Sequence, residues 1–367
     1  MDVRQEKLTE WVAKALNQTN LSLEMVSGDA SFRRYFRAKV EGETWIAMDA
    51  PPDKENSSSF VAIAQYWLSQ GIQVPTIHNY DLELGFLLLN DFGDDVLLAS
   101  LFNKDPETKV AEANVEENNV PERVPYNASG DHYYDLAMKA LVAIQAIKPD
   151  SSYSLPLYDV ALLQCEMALF PDWLLEKKLG LTLNKQERTM LTQSFSMLAE
   201  SALAQPQVPV HRDYHARNLM VLKDDSLGVI DFQDAVFGPV TYDLVSLLRD
   251  CYIVWPDEKV EQWCQQYYSL LESQGGLNYD WVQFKTWFDL MGLQRHLKAA
   301  GIFARLSLRD GKHCYLNDIP RTVDYLIRVS QGHVFLKDFH TFLVNKIQPL
   351  IATKLVTETA FKEEAGV

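Results

Sequence analysis

Residues 208–235 read VPVHRDYHARNLMVLKDDSLGVIDFQDA, and this stretch decides the reading of the whole chain. Three short apolar runs, at 208–210, 219–222 and 227–230, punctuate it, and the last two flank the turn Lys223-Asp224-Asp225-Ser226. That pattern predicts a small β island with a hairpin. His211-Arg212-Asp213 is followed by four residues and then Asn218, and Asp231 comes thirteen positions later at the end of the third run. A loop ending in Asn218 and a hairpin ending in Asp231 bring an amide oxygen and a carboxylate together. Those are hard ligands suited to Mg²⁺, which takes a few protein oxygens and fills its other positions with phosphates and water. Asp213 then stands where it can accept or orient the proton of an attacking hydroxyl. A bare H-R-D is weak; the spaced set is specific.

Outward from the island, the chain changes character twice. The N-terminal MDVRQEKLTEWVAKALN reads as an amphipathic helix rather than a signal peptide, so a cytoplasmic location is expected. Alternation then predicts strands at 21–26, 35–40 and 44–49, the last two joined by a Glu41-Gly42 turn. After Pro51-Pro52, helical spacing runs over 60–70 and stops at Gly71, followed by strands near 78–82 and 85–89. These make a small α+β lobe over residues 1–90. Residues 103–130 are polar and acidic and read as a flexible insertion. Beyond Tyr133 the pattern is mostly helical, and Trp255, Trp263, Tyr267, Trp281 and Trp287 read as core.

Composition narrows the options. Of 367 residues, 47% are hydrophobic, enough for a sizeable core, and 34 basic against 50 acidic residues leave a net charge of −16. A general nucleic-acid coat is excluded, because it needs a basic footprint. No apolar run approaches the roughly 20 residues that span a bilayer. The four cysteines form no C-x-x-C pair and read as reduced thiols.

The H-R-D-x-x-x-x-N loop, the hairpin and the closing Ile230-Asp231-Phe232 resemble the catalytic loop and metal aspartate of kinases. With a second histidine at His215, the segment is similar to the aminoglycoside phosphotransferase and choline kinase superfamily. Gly28 to Arg37, Met48-Asp49-Ala50-Pro51-Pro52, Gln294 to Lys298 and Arg309 to Lys312 narrow the resemblance. They are similar to the bacterial anomeric amino-sugar kinases, which phosphorylate the 1-hydroxyl of N-acetylmuramate and N-acetylglucosamine in peptidoglycan recycling. The resemblance covers most of the chain outside 103–130.

It implies an α+β, protein-kinase-like two-lobed fold, with a β-rich N-lobe over 1–90 and a mainly helical C-lobe over 91–367. It also implies ATP, Mg²⁺ and a small-molecule sugar acceptor, with no nucleic-acid or membrane partner. By the same resemblance Asp213 is the catalytic base, Asn218 and Asp231 hold the metal, and Asp243 anchors the loop backbone. His215 either supports the loop or touches substrate; Asp234 either reaches a substrate hydroxyl or is simply solvated. The Gly28–Ser31 turn would cover the nucleotide phosphates with backbone N–H groups and the Ser31 hydroxyl.

Departures from the kinase pattern matter as much. The strand that should carry a phosphate-binding lysine reads Trp45-Ile46-Ala47-Met48-Asp49 and has none. Arg33, Arg34 and Arg37 are the nearby replacement cations, with Arg33 and Arg37 sharing one face by alternation. Asp91-Phe92-Gly93 spells the kinase metal motif but precedes H-R-D, so it is a decoy. Residues Leu89, Asn90 and Asp91 instead fall where a hinge would offer backbone groups to adenine. Arg295 and His296 head a run of cations that is either a solvated helix face or a donor set for a sugar carboxylate. An aminoglycoside or choline-like acceptor, and a nucleotide-binding pseudokinase, are the competing readings.

Overall fold

The computed structural model describes residues 2–28, 32–103, 128–149, 154–275 and 277–355. The expected insertion lies, from 104 to 127, outside the described residues. The chain divides into two compact units. The first is drawn from Met1–Lys104, Asp131–Leu155 and His211–Ala235; the second includes Pro156–Val210 and Val236–Val367.

The first unit begins with helix α1 (Val3–Ala15), capped by the Asp2 carboxylate, which accepts the Gln5 N–H at 2.8 Å. An antiparallel sheet follows, with strands β1 (Leu23–Gly28), β2 (Arg34–Val40), β3 (Glu43–Asp49), β4 (Ile77–Asp81) and β5 (Phe86–Asn90) in the order β1-β2-β3-β5-β4. The β2–β3 turn falls at Glu41 and Gly42, both with positive φ, as a two-residue hairpin loop requires. Leu8 and Val12 of α1 bury against Phe36, Ala38, Ala47, Phe86 and Leu88 on one face of the sheet. This apolar stripe on α1 is why the N-terminus folds back as a helix. Helix α2 (Ser57–Ser69) starts three residues earlier than the periodicity indicates, because Asn56 caps it through the Ser58 N–H. β1 is also displaced, running two residues beyond the expected end, with a register shift between Met25 and Ser27.

Next in the chain come α3 (Leu97–Asn103) and α4 (Ala128–Gln145). The second unit contains α5 (Val160–Leu169), a π-helical continuation over Phe170–Lys178, and α6 (Lys185–Leu203). Strand β6 (Gln207–Val210) is followed in the chain by the hairpin strands β7 (Leu219–Val221) and β8 (Leu227–Val229) and then by β9 (Val236–Pro239). β7 pairs with β8 as expected, whereas β6 pairs with β9 in a separate ribbon. The sequence hid β9 because Gly238 and Pro239 break the strand pattern. The remaining helices are α7 (Tyr242–Leu248), α8 (Asp257–Ser273), α9 (Trp281–Asp310), α10 (Ile319–Gln331), α11 (Lys337–Phe342) and α12 (Gln348–Lys354). The 30-residue α9 is the axis of this unit: α5, α6, α7, α8 and α10 all pack against it. Trp255, Trp263, Tyr267 and Trp287 are buried, as a core reading requires, and Trp281 is half-buried.

Gly85 shows how tightly the sheet is closed. Its φ is +71°, and a Cβ there would lie 1.9 Å from the Ala50 carbonyl oxygen. The Ala50 N–H donates to the Gly85 carbonyl at 2.8 Å, so neither strand end can yield. Gly85→Ala should cost roughly 2–4 kcal/mol. Thermal unfolding would report this as a clear fall in Tm; an unchanged Tm would contradict the geometry.

Candidate active site

The site grows from His211, which is fully buried. Its Nε2 lies 2.9 Å from the Ile230 carbonyl, and its Nδ1 accepts the Asp213 N–H at 3.3 Å. A carbonyl can only accept, so the proton sits on Nε2 and the ring is the neutral tautomer. Burial pushes its pKa down to about 4, which keeps it neutral. Trp67 and Tyr214 flank the ring at 6.3 and 5.8 Å between centroids. One imidazole thus ties the start of the loop to the residue before Asp231.

The loop then closes on itself. The Asp213 carbonyl accepts the His215 N–H at 3.1 Å and the Asn218 amide Nδ2 at 2.9 Å. Asn218 N–H donates to the His215 carbonyl, and Ile230 N–H to the Asn218 carbonyl. Buried Tyr214 donates its hydroxyl to the Ala137 carbonyl of α4 at 2.8 Å. At the far end of the hairpin, Asp225 takes the Tyr133 hydroxyl at 3.0 Å and lies 2.8 Å from His132 Nε2.

Asp213, Asn218 and Asp231 therefore share one hydrogen-bonded segment. Asn218 Nδ2 approaches Asp231 Oδ2 at 3.4 Å. Because that nitrogen is committed to the Asp213 carbonyl, the amide oxygen is the remaining donor atom. An amide oxygen beside a carboxylate is an oxygen-only set, which fits Mg²⁺. Arg212 and Asp231 both hold positive φ, +75° and +67°, at a cost of about 1–3 kcal/mol each. Phe232 offsets this: it is fully buried, stacked on Phe60 at 4.8 Å and tilted against Trp67 at 5.7 Å.

Two residues at this carboxylate escaped the sequence reading. Gln233, in the place of the glycine of D-F-G, donates Nε2 to Asp231 Oδ1 at 2.7 Å. Glu55 accepts Arg33 Nε at 3.1 Å, and Arg33 in turn reaches Asp231 Oδ1 at 3.5 Å. The absence of glycine after Asp231-Phe232 was a signal for the first. No local motif marks the second.

The three arginines separate by partner. Arg34 is paired with Asp49 and Asp2, and Arg37 with Asp91 and Asp94. Only Arg33, which is buried, meets a member of the catalytic segment. The Asp91 carboxylate is likewise engaged: burial opposes its ionised form, but Arg37 and the Gly93 N–H hold its pKa below the ordinary value. Leu89 is paired on both sides, with Ile46 and Ile77. Asn90 N–H donates to the Thr76 carbonyl, and its side chain accepts the Thr76 N–H. Gly28 ends β1 opposite Arg34, and Ser31 lies outside the described residues.

The decoy D-F-G has a structural part to play. A Cβ on Gly228 would lie 2.6 Å from the Phe92 ring, so glycine lets Phe92 lie against β8. Nearby, Val221 N–H donates to the Asp95 carbonyl at 2.7 Å and Leu98 N–H to the Ala216 carbonyl at 3.0 Å. Val229 N–H reaches the Gln73 carbonyl at 2.7 Å. The β7–β8 hairpin and the loop before it are thereby stitched, main chain to main chain, to segments flanking β4 and β5.

In the second unit, His296 is fully buried, its ring parallel to Tyr325 at 4.5 Å and its Nε2 3.1 Å from the Arg249 carbonyl. It is a core histidine of α9 rather than an exposed donor. The Arg295 guanidinium lies over the Tyr242 ring at 5.3 Å. Lys298 bonds Glu166 at 3.0 Å, and Arg309 pairs with Asp310. Arg295, Lys298 and Arg309 are thus each engaged by a separate partner within this unit. Asp243 is fully buried in the first turn of α7. His215 is half-buried, and Asp234 is exposed.

Burial pushes the His296 pKa from 6.5 down to about 3, with neighbouring Arg295 adding to the effect. The unfolded chain protonates near 6.5 while the folded chain resists to about 3, so this stabilisation is complete above 6.5 and lost as pH falls towards 3. Tm should therefore decline from about pH 7 to about pH 4, and His296→Gln should flatten that decline. An unchanged slope in the variant would contradict the assignment.

Comparison with known proteins shows the family. Residues 22–282 match the family described as "Phosphotransferase enzyme family". An N-acetylmuramate/N-acetylglucosamine kinase of Pseudomonas putida is 42% identical over 339 residues, covering 89% of this chain and 92% of that protein. A protein of the same name from Neisseria meningitidis is 37% identical over 346 residues, covering 94% and 96%. Among solved structures, an ethanolamine kinase of Plasmodium vivax shares the fold with a TM-score of 0.60 at 12% identity, over 87% of each chain. The chain belongs to the phosphotransferase enzyme family and has its kinase-like α+β fold.

Proposed function

We propose that this protein is an ATP- and Mg²⁺-dependent kinase that transfers the γ-phosphoryl group to the anomeric hydroxyl of N-acetylmuramate or N-acetylglucosamine. The observation that carries the reading is the hydrogen-bonded Asp213–Asn218–Asp231 segment, with Asn218 and Asp231 3.4 Å apart. The names of the relatives support the choice of acceptor. In this reading residues 1–90 bind the nucleotide and residues 91–367 carry the catalytic loop and acceptor site. It acts in the cytoplasm in cell-wall recycling; among the described residues no helix is long and apolar enough to cross a membrane.

The chemistry asks little covalent work of the protein. Asp213 orients the sugar 1-hydroxyl and takes its proton as the new O–P bond forms. The bond between the γ-phosphorus and the β,γ-bridging oxygen breaks, leaving ADP and a sugar 1-phosphate. Mg²⁺, when bound by Asn218 and Asp231, offsets phosphate charge. Arg33 adds a fixed cation beside Asp231. His215 and exposed Asp234 are the acceptor-side groups of the loop, and the supporting role of Asp243 rests on the resemblance of its Tyr242-Asp243-Leu244 segment. A complete Asp213–Asn218–Asp231 set argues against a non-catalytic binding module, which has no use for all three.

ADP release should be measured with Mg²⁺–ATP and, in parallel, N-acetylmuramate, N-acetylglucosamine, glucose, choline and kanamycin. Turnover is expected on the two N-acetyl sugars. Asp213→Asn should lower kcat by about a hundredfold to ten-thousandfold while leaving ATP binding intact. Turnover confined to choline or kanamycin would overturn the acceptor, and full activity in Asp213→Asn would overturn the base.

A further inference from the structure

We infer that Glu55 is the positioning residue that lets Arg33 do the work of the missing strand lysine, an inference that rests on the kinase reading above. The strand that should supply the lysine offers Ala47 and Met48, both buried and apolar. Nothing on β3 therefore brings a cation to the nucleotide phosphates. Arg33, immediately before β2, does bring one to the metal aspartate, with Nη1 3.5 Å from Asp231 Oδ1.

A guanidinium on a flexible stem loses much of its value unless it is held. Here both oxygens of one carboxylate hold consecutive residues. Glu55 Oε2 accepts Arg33 Nε at 3.1 Å, and Oε1 accepts the Phe32 N–H at 3.1 Å. The Glu55 side chain is only 15% exposed and that of Arg33 9%, so solvent competes weakly for either.

Glu55 is itself fixed by the chain. β3 runs into Ala50-Pro51-Pro52, and the Lys54 and Glu55 N–H groups both donate to the Pro51 carbonyl at 2.9 Å. Asn56 then caps α2 directly after it. The Met48-Asp49-Ala50-Pro51-Pro52 motif thus acquires a purpose: it turns the chain so that an acid from beyond β3 meets a base from before β2. The pair reproduces, from different positions, the lysine–glutamate ion pair of kinases. It leaves the Nη groups of Arg33 on the side of Asp231, where the phosphates of a metal-bound nucleotide carry the opposite charge.

The test is direct calorimetric titration of Mg²⁺–ATP without any acceptor, on Glu55→Ala, Glu55→Gln, Arg33→Met and the Glu55→Ala/Arg33→Met double variant. Glu55→Ala should weaken binding about tenfold, and the double variant should be no weaker than Arg33→Met within about twofold, because the first change acts only through the second. KM for the sugar should stay unchanged in Glu55→Gln, which keeps the side-chain shape and serves in place of Glu55→Ala if the latter is unfolded by circular dichroism. Wild-type affinity in the Glu55 variants, or multiplying losses in the double variant, would overturn the inference. Because no sugar is present, a wrong acceptor leaves this result standing, whereas wild-type protein that fails to bind Mg²⁺–ATP would sink the kinase reading itself.

Discussion

The site depends on one neutral imidazole. His211 binds the Asp213 N–H with one nitrogen and the Ile230 carbonyl with the other, and so ties the loop at Asp213 to the residue before Asp231. A protonated ring would lose the acceptor that Asp213 needs. Burial among Trp67, Tyr214 and their neighbours disfavours protonation, which makes the hydrophobic packing of α2 a condition of the loop's geometry. The strained backbones of Arg212 and Asp231 follow from the same requirement. They are tolerated because Phe232 is locked between Phe60 and Trp67 and the loop's carbonyls are satisfied from within.

Charge is handled by a similar division of labour. The chain carries a net charge of −16, yet its chemistry handles a polyanion. General attraction cannot serve, so local cations must. Arg34 and Arg37 brace the small sheet against Asp49 and Asp91, while Arg33 is paired with Glu55 and reaches Asp231. An acidic surface and the proposed phosphate-binding role of Arg33 are compatible, because that guanidinium is buried beside its partners rather than spread over the surface.

Much of this was legible in the sequence where spacing alone carries the chemistry. Asp213, Asn218 and Asp231 are close in the chain, and hairpin geometry brings them together with few assumptions. The Glu41-Gly42 turn and the apolar stripe of α1 were readable for the same local reason. Partners distant in sequence were not. Glu55 is separated from Arg33 by two strands, and β9 is disguised by Gly238 and Pro239. His296 misled because a histidine inside a run of cations looks solvent-facing, and only the placement of α9 amid five helices shows it to be core. Asp91-Phe92-Gly93 was set aside on chain order, and its packing against Gly228 needed the tertiary fold to appear.

Delivery of phosphate to an anomeric oxygen is read from the ³¹P and ¹H NMR spectrum of the product formed from N-acetylmuramate and Mg²⁺–ATP. A phosphorus coupled to the anomeric proton is expected, appearing in step with ADP. Phosphorus coupled to any other sugar proton, or inorganic phosphate released with the sugar unchanged, would contradict it.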